Sequence, residues 1–123
     1  MYKIPREQFE MLVRKLIEEL PVIVRDRMKN IDVVLEDWPS PIQLAGTGID
    51  HMDQLLGLYE GIPVSERYGY DMVLPDKISL FREPLQGICN SLDELTSEVR
   101  QTIIHEVAHH FGLSDEQIER KGL

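Results

Sequence analysis

The sequence has almost no cysteine and no long apolar run, and its charge is lopsided toward acid. One cysteine, Cys89, stands in 123 residues, so no intramolecular disulfide can form and nothing asks for an oxidising compartment. A lone cysteine reads most simply as a small buried hydrophobe. No apolar stretch approaches the roughly 20 residues that a membrane-spanning helix needs. The opening MYKIPREQFE mixes charge with proline and lacks the apolar core of a secretory signal. A soluble, cytoplasmic protein without a membrane partner is therefore expected. Basic residues number 13 against 22 acidic ones, for a formal net charge of -9. That balance repels phosphate backbones, so no nucleic-acid partner is expected either.

What is present is enough to fold. An apolar fraction of 42% supports a packed core, and the length suits one domain spanning 1–123. No internal repeat, low-complexity tract or linker breaks it. Between Pro5 and Leu20 the residues Phe9, Leu12, Val13, Leu16, Ile17 and Leu20 recur at helical spacing. PVIVRDRMKN (21–30) predicts a short second helix opened by Pro21, although VIV also has strand propensity. IDVVLEDW (31–38) predicts a strand with Ile31, Val33 and Leu35 on one face. The stretch 38–54, rich in proline and glycine, reads as a loop. LLGLYEG (55–61) and KISLFRE (77–83) predict two more strands on either side of a polar, aromatic loop.

The C-terminal third is the most legible. Ser91 followed by Glu94 is a capping-box signature, so a helix should begin near Leu92. Leu92, Leu95, Val99, Ile103 and Val107 form one apolar stripe toward Phe111. Gly112 stands where a left-handed cap is expected. Ser114 and Gln117 repeat the capping pattern ahead of a last short helix, DEQIERKG (115–122).

Within that long helix lies HEVAHHFGLSD (105–115), which contains H-E-x-x-H. Side chains four apart share a helix face, about 5–6 Å between Cβ atoms, so two imidazoles can converge on one metal ion. His105 and His109 are the candidate ligands. Glu106 stands one position further round and can reach a metal-bound water as general base without occupying the metal. Each could instead be a surface residue. However, three of the four histidines fall within six positions, and composition alone would produce the motif in roughly one such chain in a hundred. Asp115, six beyond His109 and past a chain-reversing glycine, is the candidate third ligand. Its alternative is an acidic residue complementing a helix N-terminus. His110 points about a quarter turn from the pair and reads as a packing or supporting residue.

The motif resembles the H-E-x-x-H-x-x-G-x-x-D variant of the zincin metallopeptidases. The wider chain is similar to small stand-alone bacterial proteins of the minimal-zincin type, through GLYEGIP (57–63), Arg67, LPDKISLFREPL (74–85) and VRQTIIHEVAHHFGLSD (99–115). The resemblance implies an α+β, zincin-like domain whose small mixed sheet packs on the metal-binding helix. It implies Zn2+ held by His105, His109 and Asp115, Glu106 as general base, and a peptide or protein substrate. Two departures are evident. No methionine occurs among the eight residues after Asp115, where larger metzincins place a methionine turn, and Glu116 and Glu119 fit a gluzincin ligand poorly.

Such a site suits metal-assisted hydrolysis of peptide bonds. In zincins a peptide commonly adds as a strand along the sheet edge. KISLFRE is the candidate for that edge, with an ordinary interior strand as its alternative. Tyr59, Arg67, Tyr68 and Tyr70 are available as oxyanion stabilisers without a firm assignment. Three other readings use the same residues. A metal-dependent ribonuclease also carries a helical histidine pair, but typically without the adjacent glutamate. Two histidines and a carboxylate can hold non-haem iron. A non-catalytic zinc-binding module would close the metal with four protein ligands.

Overall fold

The computed structural model describes residues 1–61, 75–114 and 116. The polar, aromatic loop and the last short helix expected from the sequence fall almost wholly outside the described residues. Helix α1, Arg6–Glu18, opens behind Pro5 and turns Phe9, Val13 and Leu16 inward. Helix α2, Val22–Arg27, follows Pro21 directly. The proline presets the first-turn backbone and its carbonyl accepts from the N–H groups of Val24 and Arg25. Helix therefore wins over the strand propensity of VIV.

Strand β1, Ile31–Glu36, is followed by a short helix α3, Pro41–Ala45, and a 3-10 turn at Met52–Gln54. Strand β2, Gly57–Glu60, and strand β3, Asp76–Phe81, complete the sheet, and β3 runs straight into helix α4, Arg82–Gly87. Helix α5, Leu92–Phe111, closes the described chain. Its Ser91 side chain accepts from the Glu94 N–H, and Gly112 ends it at φ 67, a left-handed value that glycine adopts freely.

Among the described residues the sheet has three strands in the order β1-β3-β2. β1 pairs with β3 in parallel and β2 pairs with β3 antiparallel. The architecture is α+β with a small mixed sheet, as expected. KISLFRE, however, is the central strand and not the edge. Both of its flanks carry partners, so it has no open ladder for another chain.

The core forms where the inner face of the sheet meets the helices. Ile78 and Leu80 of β3, Phe9 of α1, Val24 of α2 and Leu85 of α4 are fully buried together with the α5 stripe. Leu95, Val99, Ile103 and Val107 are each 0% exposed, which contributes about 1.5–3 kcal/mol per side chain. Leu92 departs from the expected stripe, being 48% exposed, because the first turn of α5 extends past the edge of the core. Cys89 is buried as expected.

One polar hub ties the N-terminal segment to this core. The Arg6 guanidinium donates to Asp37 Oδ1 at 3.1 Å and to the Leu35 carbonyl. Arg82 donates to the same Asp37 oxygen at 2.9 Å and to the Ile4 carbonyl at 3.2 Å. α1, the end of β1 and the start of α4 are thus held by one carboxylate.

Candidate metal centre

The inward stripe of α5 decides what its other face presents. With Ile103 and Val107 buried, His105 and His109 are exposed and Glu106 is half-buried. The two imidazole rings face each other nearly in parallel, 15° apart in plane and 6.3 Å between centroids. Two imidazoles sharing a tetrahedral ion at about 2.0–2.1 Å would bring their ring centres to roughly 5 Å. Sharing one ion would require the rings to close by about 1 Å and to turn so that one nitrogen of each aims at it. Among the described residues neither ring is held by a hydrogen bond to protein.

Glu106 is held. Its Oε1 accepts from the backbone N–H of Tyr59 at 2.9 Å. Strand pairing explains why that N–H is available. The Phe81 N–H donates to the Leu56 carbonyl at 2.9 Å, and antiparallel pairs alternate between bonded and non-bonded positions. Leu58 and Glu60 therefore turn their backbone groups toward β3, whereas Gly57 and Tyr59 turn theirs outward. The outward N–H of Tyr59 meets the carboxylate.

The Tyr59 side chain locks the same junction. Its ring stacks on His110 at 3.8 Å with 14° between planes, and Phe111 meets it edge-on at 6.2 Å. Its hydroxyl donates to Asp76 Oδ2 at 2.7 Å. The supporting role expected for His110 takes this form, a stack beneath the edge strand. Of the oxyanion candidates, Tyr59 has its hydroxyl engaged on Asp76, while Arg67, Tyr68 and Tyr70 lie outside the described residues.

Gly57 lets β2 come this close to α5. A Cβ there would stand 2.6 Å from Thr102 Cγ2 and 3.2 Å from the Ser79 carbonyl oxygen. Beside this contact runs a groove of about 420 Å³, lined by Ile49 and residues 54–57 and, from α5, by Glu98, Gln101, Thr102, His105 and Glu106. The candidate base and the first candidate ligand thus open onto one cleft along the sheet edge.

Asp115 lies outside the described residues. The described chain carries the expected reversal up to it, since the Leu113 N–H donates to the Ala108 carbonyl at 2.9 Å beyond Gly112. Among the described residues no group of three or more His, Cys, Asp or Glu is arranged to hold a metal ion. Two imidazole side chains on an open helix face are a donor type that suits a borderline ion such as Zn2+, with room for a third ligand. Cys89 offers no alternative chemistry. Burial pushes its thiol pKa up, and the neighbouring Glu98 and Glu94 charges push it further, so the reactive thiolate is disfavoured.

A family model described as a zincin-like metallopeptidase matches residues 28–123. The chain belongs to that family. The match takes in the sheet, the motif helix and the segment after Gly112, whereas α1 and α2 precede it and supply part of the core cover. In fold, this zincin-like chain is similar to a conserved hypothetical protein from Thermo thermophilus, with a TM-score of 0.56 and 23% identity over 88% of this chain and 94% of that one. No curated protein matches the chain. Among the described residues no helix is long and apolar enough to cross a membrane.

Proposed function

We propose that this zincin-like protein is a zinc-dependent hydrolase that cleaves peptide bonds, with His105, His109 and Asp115 as metal ligands and Glu106 as general base. The observation that carries the reading is the placing of Glu106 between two exposed histidines, against an edge strand and on the wall of a groove. A buried structural role for the motif would put these side chains inside.

When bound, zinc would supply Lewis acidity and lower the pKa of a coordinated water toward neutrality. His105 and His109 would hold the ion from one helix face, and Asp115 would contribute a carboxylate from beyond the Gly112 turn. Glu106 uses its second oxygen, Oε2, to take the proton of the attacking water and later delivers it to the leaving amine. The Tyr59 N–H on Oε1 fixes the carboxylate plane during that exchange.

Substrate is held by backbone. Gly57 turns its peptide groups away from β3 on the groove side, so an extended peptide can pair with β2 there, while the outward Tyr59 N–H stays with Glu106. This assigns to β2 the docking edge that KISLFRE cannot supply.

The test is Glu106→Gln measured against zinc-loaded wild type on a peptide library. Turnover should fall by at least about 10²-fold with zinc content unchanged. Equal turnover in the two proteins would remove the general-base assignment.

A further inference from the structure

We infer that the groove beside the motif selects a lysine or arginine side chain of the substrate, with Glu98 as the group that recognises its charge. This deepens the peptidase reading and rests on it. Glu98 is on α5 seven residues before His105, hence about 10 Å along the helix axis, and it lines the same groove as His105 and Glu106. It is half-buried. Among the described residues its carboxylate makes no hydrogen bond and no ion pair, whereas the other half-buried carboxylates have partners. Glu10 pairs with Arg6, Glu36 with Lys77 and Glu83 with Lys3, Glu60 takes donors from Gln43 and Ser79, and Glu106 and Asp76 accept from Tyr59.

A carboxylate partly withdrawn from water and, among the described residues, without a counter-charge favours an incoming cation. The rest of the lining matches such a guest. Ile49, Leu55 and Leu56 offer apolar surface for an aliphatic stem, and no lysine or arginine among the described residues of the lining competes for the acid. About 420 Å³ is ample for one long side chain. The formal net charge of -9 adds long-range attraction for basic peptides. With the peptide backbone on the outward groups of Gly57, a residue near the scissile bond would send its side chain along the groove toward Glu98.

The experiment uses the full-length, zinc-loaded chain and peptides carrying Lys, Arg, Leu or Glu at each of three positions on either side of the cleaved bond. At one position kcat/KM for Lys or Arg should exceed that for Leu by at least about tenfold. That ratio should fall toward one in Glu98→Gln and invert in favour of Glu in Glu98→Lys. A second readout avoids turnover: zinc-loaded Glu106→Gln should bind the basic peptides at least about tenfold tighter than the Leu peptides, with the gap closing at high salt. Adding Glu98→Gln to that variant should abolish the gap. Cleavage with the same selectivity in wild type and Glu98→Gln overturns the inference and leaves the peptidase reading intact. Glu98-dependent binding without cleavage of any peptide by wild type overturns the peptidase reading and supports the groove. The absence of both preference and binding overturns the inference outright.

Discussion

The backbone N–H of Tyr59 and the carboxylate of Glu106 are joined at 2.9 Å across the gap between the sheet edge and the motif helix. The bond uses a donor that strand pairing leaves outward and, as acceptor, the carboxylate proposed as general base. Edge strand and motif helix are therefore one mechanical unit. Tyr59→Pro tests this, because proline at an outward edge position removes the donor without breaking the ladder. Tyr59→Ala is its reference, since both variants lose the phenol and the stack on His110. A hydrogen bond to a charged group contributes about 1.5–3 kcal/mol. Steady-state assays should therefore show kcat about tenfold lower in Tyr59→Pro than in Tyr59→Ala. Equal kcat in the two would mean that the bond has no part in positioning Glu106.

Gly57→Ala should separate strand from helix. The added methyl meets Thr102 Cγ2 at 2.6 Å and the Ser79 carbonyl at 3.2 Å, and overpacking of this kind costs about 1–3 kcal/mol. Urea denaturation should report that loss, with hydrolysis falling as the Tyr59 contact to Glu106 loosens. Thr102→Ser removes the methyl on the helix side, so the double variant should recover part of the stability. A fully stable Gly57→Ala would show that β2 has room to move.

Acid should weaken the Arg6–Asp37–Arg82 hub. The hydrogen bond from Arg82 holds the Asp37 carboxyl below its ordinary pKa. Desolvation opposes this, while the charges of Arg82 and Arg6 add to it. A depressed folded-state value means that the stabilisation is fully present above the usual carboxylate pKa of about 3.9 and is lost as pH falls through the folded value. Asp37→Asn should therefore have a lower urea midpoint than wild type at neutral pH, and the difference should close below about pH 4. A gap that does not narrow as pH falls below about 4 would assign the effect to packing rather than charge.

Ser91→Ala probes the start of the motif helix. The Ser91 Oγ accepts from the Glu94 N–H at 3.1 Å, and losing such a cap costs about 1 kcal/mol. The motif is more than three turns away, so the midpoint should drop while zinc content stays unchanged.

Helix α5 is readable in the sequence because every local signal agrees: a cap at Ser91, an apolar period of 3.6 and a terminating Gly112. Helix α3 is hidden by its neighbours. Ser40 and Gln43 form a complete capping box around Pro41, yet the surrounding prolines and glycines suggest only loop. Helix α4 escapes notice because ISLF passes into REPL with Phe81, which offers no capping side chain, at the junction, and Pro84 in the first turn is its only local mark. Strand order is a different matter. Whether β2 or β3 forms the edge depends on partners distant in sequence, and KISLFRE has the same composition in either place. The contact between Tyr59 and Glu106, 47 residues apart, has no local signature at all. His105, Glu106 and His109 are legible for the opposite reason, since their geometry follows from one helix alone.

The central claim is that one divalent ion is gripped by this helix. Zinc titration of the metal-free full-length chain, followed by calorimetry, tests it most directly, with His105→Ala, His109→Ala, Asp115→Ala and Glu106→Gln in parallel. Wild type and Glu106→Gln should bind about one zinc per chain at the same affinity, and each ligand variant should weaken binding by at least about 10²-fold. Zinc binding of equal strength in wild type and in both histidine variants would contradict the account.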